Sequence, residues 1–377
     1  MEAYLDNGAT TKPCKEAVDA VMSMLTETYA NPSSLHNPGI AAAKKIIEAR
    51  QILADALSCD RDEIFFTSGA TEANNLAVFG AAYANRRKGN KIVTTAIEHE
   101  SVLQSIDELE KEGFEVVRLM PDSQGFISET ELMQVIDDKT ILVSVMYINN
   151  EVGSVMPVEK IKKAVKLKNA PALIHIDCVQ AFGKVKISPK KLGADLISVT
   201  AHKIHGPKGC GALYIRKGVR ILPRTFGGEQ EKKIRPGTEA SPLIAGFAAA
   251  VAALPDPEKQ EEKMKELNSY TREKLLQIDG LKINSAENAS PYILNIYVPT
   301  FMRSQTIVQE LSAKYGVYVS NGSACAKGKK SHVLSAMHLS DEITDKSIRV
   351  SFSRDSSKED ADTLFEALKD ITQKHPR

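Results

Sequence analysis

The 377-residue sequence lacks several features that would assign it at once to a protein class. It has no tryptophan and no run of 18 or more apolar residues, so no membrane-spanning helix is expected. Its 49 basic and 48 acidic residues are interspersed, which argues against direct binding of nucleic acid. The N-terminus has neither the basic nor the apolar region of a secretory signal, and a cytoplasmic protein is therefore expected.

Cysteine is scarce, and the cysteines have neither a C-x-x-C spacing nor an even number, so no disulfide framework or metal site is expected. Cys178 and Cys210 abut predicted strands and should be packed, and Cys59 closes a helical pattern. Cys325 lies in a glycine-containing segment with three lysines, which favours an exposed thiolate. Cys14, between Lys12 and Lys15, is the alternative reactive thiol.

Short β-rich runs alternate with helical patterns between about residues 60 and 250, and several runs are apolar on both faces. This alternation predicts an α/β fold whose sheet is covered by helices. The runs are residues 64–67, 91–95, 115–119, 140–146, 173–176, 195–199 and 212–215. Pro255 and Pro257 end the pattern, and a charged helical stretch and three further strand-like runs follow (residues 292–298, 316–320 and 347–353). These predict a smaller α+β domain that the first residues of the chain complete.

Polar residues follow five of the predicted strands, at the point where each strand ends. Because ligands of open α/β sheets bind beyond the carboxyl ends of the strands, these residues are expected to form one site. They are residues 68–71, 98–99, 149–151, 177 with 180, and 200–203. The sequence has neither G-x-x-x-x-G-K-[ST] nor G-x-G-x-x-G, so a P-loop is excluded and a dinucleotide site lacks support.

Three of these positions indicate possible roles in binding or catalysis. Lys203 follows an apolar run, and partial desolvation would make its amine a nucleophile toward a carbonyl, although a surface lysine is the simpler alternative. The glycine turn before Thr71 leads into a helical pattern over residues 73–84, and the helix N-terminus there could bind a phosphate or be an ordinary capping box. Asp177 ends an apolar strand and needs a partner, either a protonated ring nitrogen or a structural ion pair.

One cofactor, pyridoxal phosphate, fits this combination of groups. Lys203 would bind its aldehyde, and Asp177 would keep its ring nitrogen protonated, so that the ring can accept electrons. His99 would stack on the ring, and Gln180 or Asn150 would hydrogen-bond its phenolic oxygen.

Nine ordered segments now make a resemblance recognisable. The sequence resembles the cysteine desulfurases of the class V aminotransferase family, close to the NifS/IscS group, from residue 4 to about residue 365. The resemblance implies an aspartate aminotransferase-like fold (fold type I) with a mostly parallel seven-stranded sheet. The implied domains are residues 15–255, and residues 1–14 plus 256–377. The segments are residues 4–11, 31–34, 67–72, 98–99, 149–153, 175–177, 201–209, 235–238 and 322–325.

The resemblance also implies a reaction and the residues that perform it. L-Cysteine would yield L-alanine and a persulfide on Cys325, with Lys203 and His99 moving protons. Arg349 would grip the substrate carboxylate beside Asn31 and Asn150. The implied phosphate ligands are Ala70, Thr71, Thr200, His202 and, from the second subunit of an obligate homodimer, Thr238. The persulfide sulfur would pass to an acceptor protein for iron–sulfur cluster assembly or for thiolation of tRNA or thiamin precursors.

Three departures from the family pattern are visible. Cys178 stands where alanine is common in the family, and it is expected to be inert. Thr200-Ala201-His202 stands where the family usually has Ser-Gly-His, which keeps the hydroxyl group. The segment after Cys325 is shorter than in typical housekeeping members, which leaves the sulfur acceptor open. Two alternatives also stay open: a relative that uses no enzyme thiol, such as a transaminase or a selenocysteine lyase, and a catalytically silent scaffold or sulfur-relay subunit.

Overall fold

The structure is a computed structural model that describes residues 2–322 and 330–376. Its strands are β1 (Ala3–Tyr4), β2 (Ile64–Thr67), β3 (Lys91–Thr95), β4 (Glu115–Leu119), β5 (Thr140–Met146), β6 (Leu173–Asp177), β7 (Leu196–Thr200), β8 (Gly211–Ile215), β9 (Lys282–Ile283), β10 (Ile293–Tyr297), β11 (Val317–Tyr318) and β12 (Ser347–Ser351). Its helices are α1 (Lys15–Thr26), α2 (Asn37–Leu57), α3 (Ala70–Asn85), α4 (Glu100–Lys111), α5 (Glu129–Val135), α6 (Val158–Leu167), α7 (Pro189–Leu192), α8 (Ser241–Ala252), α9 (Pro257–Leu275), α10 (Ser304–Tyr315), α11 (His332–Ala336), α12 (Asp341–Lys346) and α13 (Lys358–Lys374). No helix in this part of the chain is both long and apolar enough to cross a membrane.

The largest sheet has seven strands in the order β2-β8-β7-β6-β5-β3-β4. β8 runs antiparallel to both of its neighbours, and the other pairs are parallel. The predicted α/β fold with a mostly parallel seven-stranded sheet is therefore confirmed. The parallel strands place their carboxyl ends at one edge of the sheet, where the polar residues follow.

Helices cover both faces of this sheet, which explains why β2, β3, β5, β7 and β8 are buried along their whole length. Along β2, Ile64 and Phe66 join one apolar cluster, whereas Phe65 joins the other, because successive side chains of a strand point to opposite faces. The Phe65 cluster contains α3 and α4, and the larger cluster extends to the C-terminal helices. Apolar residues on both sides are what buried parallel sheets require.

Two smaller sheets lie outside the main one. β12, β10 and β9 form an antiparallel sheet, and β1 pairs in parallel with β11, which joins the first residues of the chain to residues 317–318. The sequence did not predict β9, which has only two residues. The pairing of β1 with β11 supports the predicted smaller domain, but its boundaries stay a prediction.

α9 begins where the proline pair ends the first pattern. The Asp256 carboxylate accepts hydrogen bonds from the N–H groups of Glu258 and Lys259, and Pro257 occupies the first helical position, where its missing N–H has no intrahelical partner to lose.

Candidate active site

A cavity of about 570 Å³ lies at the carboxyl ends of the parallel strands. It is lined by groups from different strand ends, so the strand-end residues do come together as expected. Predicted site residues that line it are Ala70, Thr71, His99, Asn150, Asp177, Gln180, Thr200, His202, Lys203 and Arg349. The structure therefore shows that these residues line one cavity, and the role of each residue stays a prediction.

Lys203 lies in a short 3-10 turn, Ala201–Lys203, that begins directly after β7. Its Nζ donates to the backbone oxygens of Gly8 (2.5 Å) and Ala9 (2.7 Å), so the N-terminal segment holds the amine at the cavity. Thr11 is bound to the same turn, since its N–H and its hydroxyl both donate to the His202 oxygen. The turn therefore depends on residues almost 200 positions away in sequence.

The glycine turn after β2 presents the N-terminus of α3 to the cavity. α3 begins at Ala70, three residues earlier than the helical pattern in the sequence suggested. Its first N–H groups have no intrahelical acceptor and can bind an anion. β8 approaches this turn closely, because a Cβ added to Gly211 would lie 2.8 Å from Gly69 Cα.

Asp177 is connected to His99 by a continuous chain of hydrogen bonds. Asn74 Nδ2 donates to Asp177 Oδ2 at 2.8 Å and to Ser101 Oγ at 2.9 Å. Ser101 Oγ lies 2.8 Å from His99 Nδ1, which also accepts the Ser101 N–H at 3.1 Å. The other Asp177 oxygen, Oδ1, accepts the N–H of Val179 at 2.9 Å. The carboxylate is thus fixed and 5% exposed.

The same contacts define the state of the imidazole. Because Nδ1 of His99 accepts a backbone N–H, the neutral ring carries its proton on Nε2. Burial lowers the pKa of His99, and the positive charge of Lys203 lowers it further, while Asp177 opposes both effects. The lowered pKa favours the neutral form of the His99 ring at pH 7.

Three other predicted cofactor ligands have protein partners. Gln180 Nε2 donates to the Gly8 oxygen at 2.9 Å, and Thr200 Oγ1 donates to the Cys210 oxygen at 3.0 Å. His202 Nδ1 lies 3.3 Å from Thr10 Oγ1. Burial, together with the charges of neighbouring lysines, lowers the pKa of His202 to about 4, so its ring is neutral.

Arg349 projects from β12 and is 2% exposed. Its Nη1 donates to the oxygens of Asn150 (2.9 Å) and Gly322 (3.3 Å), and its Nη2 donates to Asp6 Oδ1 at 3.0 Å. Nε has no hydrogen-bond partner within residues 2–322 and 330–376. The edge formed by Nε and the second Nη2 hydrogen is the edge that binds a carboxylate bidentately.

Some predicted residues are not in this cavity. Asn31 is exposed between α1 and α2, where its Oδ1 accepts the N–H of Ser33 at 2.9 Å, so it does not lie beside Arg349 in the single chain. Thr238 is exposed and does not line the cavity either. Cys325 lies outside the described residues.

The sequence reasoning missed residues that hold the site together. Asn74 orients Asp177, Asp6 pairs with Arg349, and the Gly8 oxygen accepts from both Lys203 and Gln180. The sequence could have indicated Asn74, because a polar amide inside the apolar helix Ala70–Asn85 needs a buried hydrogen-bond partner. Nothing in the sequence indicates that the backbone oxygen of Gly8 accepts these hydrogen bonds.

Comparisons with known proteins agree with this geometry. The family model for class-V aminotransferases matches residues 3–364. Cysteine desulfurase IscS of Methanosarcina thermophila is 42% identical over 376 residues, which cover 98% of this chain and 92% of that protein. The putative cysteine desulfurase IscS 1 of Bacillus subtilis is 39% identical and covers 98% of both chains.

Solved structures agree as well. A NifS-like protein superposes with a TM-score of 0.93 at 37% identity, covering 99% of this chain and 100% of that one. The structure of SspA in complex with cysteine has a TM-score of 0.82 at 32% identity, covering 94% and 100%. The chain therefore belongs to the class-V aminotransferase family, within its group of NifS- and IscS-like cysteine desulfurases.

Proposed function

We propose that this chain is a pyridoxal phosphate-dependent cysteine desulfurase that converts L-cysteine to L-alanine and leaves the sulfur as a persulfide on Cys325. The observation that carries the proposal is the convergence of Lys203, Asp177, His99 and Arg349 on one cavity. An amine, a buried carboxylate, a neutral imidazole and a buried guanidinium are the groups that the cofactor and an amino-acid substrate require.

The residues of the cavity fit the cofactor. Asn74 Oδ1 and Asn150 Oδ1 are buried and have no hydrogen-bond partner in the described part of the chain, although both residues line the cavity. Such atoms require a ligand or water. The α3 N-terminus would hold the phosphate, with Ala70, Thr71, Thr200 and His202 around it, and Lys203 would bind the aldehyde.

When bound, the cofactor accepts the electrons that the reacting carbon releases. Arg349 would orient the substrate through its carboxylate, with Asn150 beside the guanidinium. Lys203 and His99 would move the protons, and the Asp177–Asn74–Ser101 chain would hold His99 in its orientation.

The Cys325 thiolate would attack the substrate sulfur, so that a sulfur–sulfur bond forms as the carbon–sulfur bond breaks. In sum, one thiol and one cysteine give one persulfide and one alanine, and no external oxidant is needed.

A homodimer is part of the proposal. The exposed face of α1 carries Val18, Met22 and Leu25, with Leu35 and Phe226 exposed elsewhere on the surface at 94% and 85%. A second copy of the chain would cover such apolar groups and bring Thr238 to the neighbouring cavity, as the family resemblance implies. Sedimentation equilibrium tests this point, and a monomer at micromolar concentration would contradict it.

The sulfur acceptor would be an iron–sulfur scaffold protein or a sulfurtransferase acting on tRNA or thiamin precursors. This part rests on the family resemblance, as does a location in the cytoplasm. Capture of the persulfidated protein with candidate acceptors would identify the pathway.

The decisive experiment compares Cys325→Ala with Cys14→Ala after loading with pyridoxal phosphate. Cys325→Ala should retain the yellow cofactor but release no sulfide from cysteine in the presence of a reductant, whereas Cys14→Ala should keep the wild-type rate. Undiminished turnover of Cys325→Ala would favour a relative that uses no enzyme thiol. A wild-type protein that stays colourless with the cofactor would favour a silent scaffold.

A further inference from the structure

A buried lysine beside the cavity has no place in the reaction described above. Lys184 follows β6 on the same turn as Gln180 and is 8% exposed. Its Nζ donates to Gln180 Oε1 at 2.9 Å and lies 5.3 Å from the ring centre of Tyr292. No carboxylate in the described residues pairs with it. A buried amine without a counter-charge is costly, so packing stability does not explain its presence.

The position of Lys184 is fixed by the backbone around it. Gly183 has a φ of +75°, and a Cβ added there would lie 2.8 Å from Ile204 Cγ2, next to Lys203. The Lys184 N–H donates to the Ala181 oxygen at 3.0 Å, which closes a tight turn. The amine of Lys184 is therefore held next to Gln180 by a backbone conformation at Gly183 that favours glycine.

The hydrogen bond from Lys184 helps to set the orientation of the Gln180 side-chain amide. Burial, together with the charges of Lys203 and Arg349, lowers the pKa of Lys184 to about 7, and its Nζ donates to the oxygen of the Gln180 amide. The Gly8 oxygen only accepts, so it must face the amide nitrogen. Both partners select the same orientation of an amide that could otherwise flip. One Nε2 hydrogen goes to Gly8 and the other is left for the cavity that Gln180 lines.

We propose that Lys184 is a positioning residue that fixes the Gln180 amide so that an N–H group, rather than the carbonyl oxygen, faces the bound cofactor. This role rests on the proposed function, since it concerns the same cavity. An N–H group facing the phenolic oxygen stabilises its anionic form.

The test uses the full-length protein loaded with pyridoxal phosphate and follows the visible absorbance of the bound cofactor against pH. The variants are Lys184→Met, Gln180→Ala and the double variant, with Lys186→Met as the control. Lys186 lies two residues away, is exposed and pairs with Glu258 at the surface. The wild-type spectrum is recorded first, because absence of bound cofactor would overturn the proposed function, and this role with it.

Lys184→Met and Gln180→Ala are each expected to raise the pH midpoint of the change in cofactor absorbance by about 0.5–1 unit, since each removes the oriented N–H donor. The double variant is expected to shift no further, because both residues act through one contact. A Lys184→Met midpoint equal to that of Lys186→Met, or shifts that add in the double variant, would overturn the proposal. If the Met variant does not fold, Lys184→Gln, which is too short to reach Gln180 Oε1, replaces it with the same two outcomes.

Discussion

Asp6 and Arg349 form an ion pair of 3.0 Å that joins the first residues of the chain to β12. The guanidinium is almost fully buried, so this carboxylate compensates its charge before any substrate arrives. Asp6 accepts a hydrogen bond from Nη2, and the buried Nε is left without a partner in the described residues. The pair therefore pre-orients the group that would bind the substrate carboxylate.

Arg349→Lys should raise the KM for L-cysteine by about tenfold or more, which corresponds to ~1.4 kcal/mol. A lysine keeps the charge but cannot make two parallel hydrogen bonds to a carboxylate. Steady-state kinetics on the loaded enzyme measure this effect. Arg354→Lys is the matched control, because Arg354 contacts the Ala253 oxygen and does not line the cavity. An unchanged KM in Arg349→Lys would show that the substrate carboxylate binds elsewhere.

Glu98→Gln should stabilise the protein at alkaline pH. Glu98 Oε1 accepts from Thr95 Oγ1 (2.7 Å) and the Met146 N–H (3.0 Å), and Oε2 has no partner in the described part of the chain. Burial raises the pKa of Glu98 from 4.5 to about 8. The two hydrogen bonds act to lower this pKa, and the negative charge of Asp177 acts to raise it. The folded state thus keeps a proton that the unfolded state releases from about pH 4.5 upward.

For a group with a raised pKa, the stabilisation is complete below the unfolded pKa and is lost as the pH rises through the folded pKa. The difference in unfolding free energy between Glu98→Gln and wild type should therefore grow from pH 5 to pH 8, by on the order of 2–4 kcal/mol. Urea denaturation at several pH values measures it. Glu115→Gln, at an exposed carboxyl on β4, is the control and should show no such trend. A constant difference would mean that Glu98 is ionised in the folded protein.

Three of the described cysteines, Cys59, Cys178 and Cys210, should resist reaction with iodoacetamide in the native protein. Cys178 and Cys210 are buried, and burial raises the pKa of both thiols, to about 12 for Cys210. Burial also raises the pKa of Cys59 to about 12. Because only the thiolate reacts, these three should stay unmodified in the native protein at pH 7.5 and react after unfolding. Peptide mapping that finds Cys178 alkylated in the native state would contradict the packing around β6.

The sequence alone was sufficient to predict the bounds of those strands that have a strong local pattern. The runs of residues 64–67, 91–95, 115–119 and 140–146 became β2 to β5 with the same bounds, because short runs rich in β-branched and aromatic residues between helical patterns favour strands. The two-residue strand β9 gave no such signal. α3 was predicted too late, because its first turn is polar and its start depends on the conformation of Gly69.

The connections within the site could not be predicted in the same way. Asn74 and Asp177 are 103 residues apart, and Asp6 and Arg349 are 343 residues apart, so only the folded chain brings them together. The predicted placement of Asn31 beside Arg349 came from family resemblance, and in the single chain its side chain instead binds the local N–H of Ser33. Strand ends indicate where a site lies, but they do not identify which groups support it.

Gly211→Ala should weaken binding of pyridoxal phosphate by about tenfold or more. Gly211 on β8 pairs with Thr67 and Thr200, and an added Cβ would lie 2.8 Å from Gly69 Cα, so the backbone of the glycine turn would have to move. A shift of a few tenths of an ångström lengthens the hydrogen bonds from the α3 N-terminus to a phosphate. Titration of the unloaded protein with cofactor, followed by absorbance, gives the affinity.

Ala212→Gly separates this effect from a general loss of sheet stability. Ala212 is the next residue of β8, and its side chain points to the opposite face of the sheet, so the substitution weakens packing without touching the glycine turn. We expect Ala212→Gly to lower the urea midpoint but to keep the cofactor affinity, and Gly211→Ala to lose affinity even at temperatures where it is fully folded. Equal losses of affinity in both variants would mean that the α3 N-terminus does not hold the phosphate through a turn that depends on Gly211.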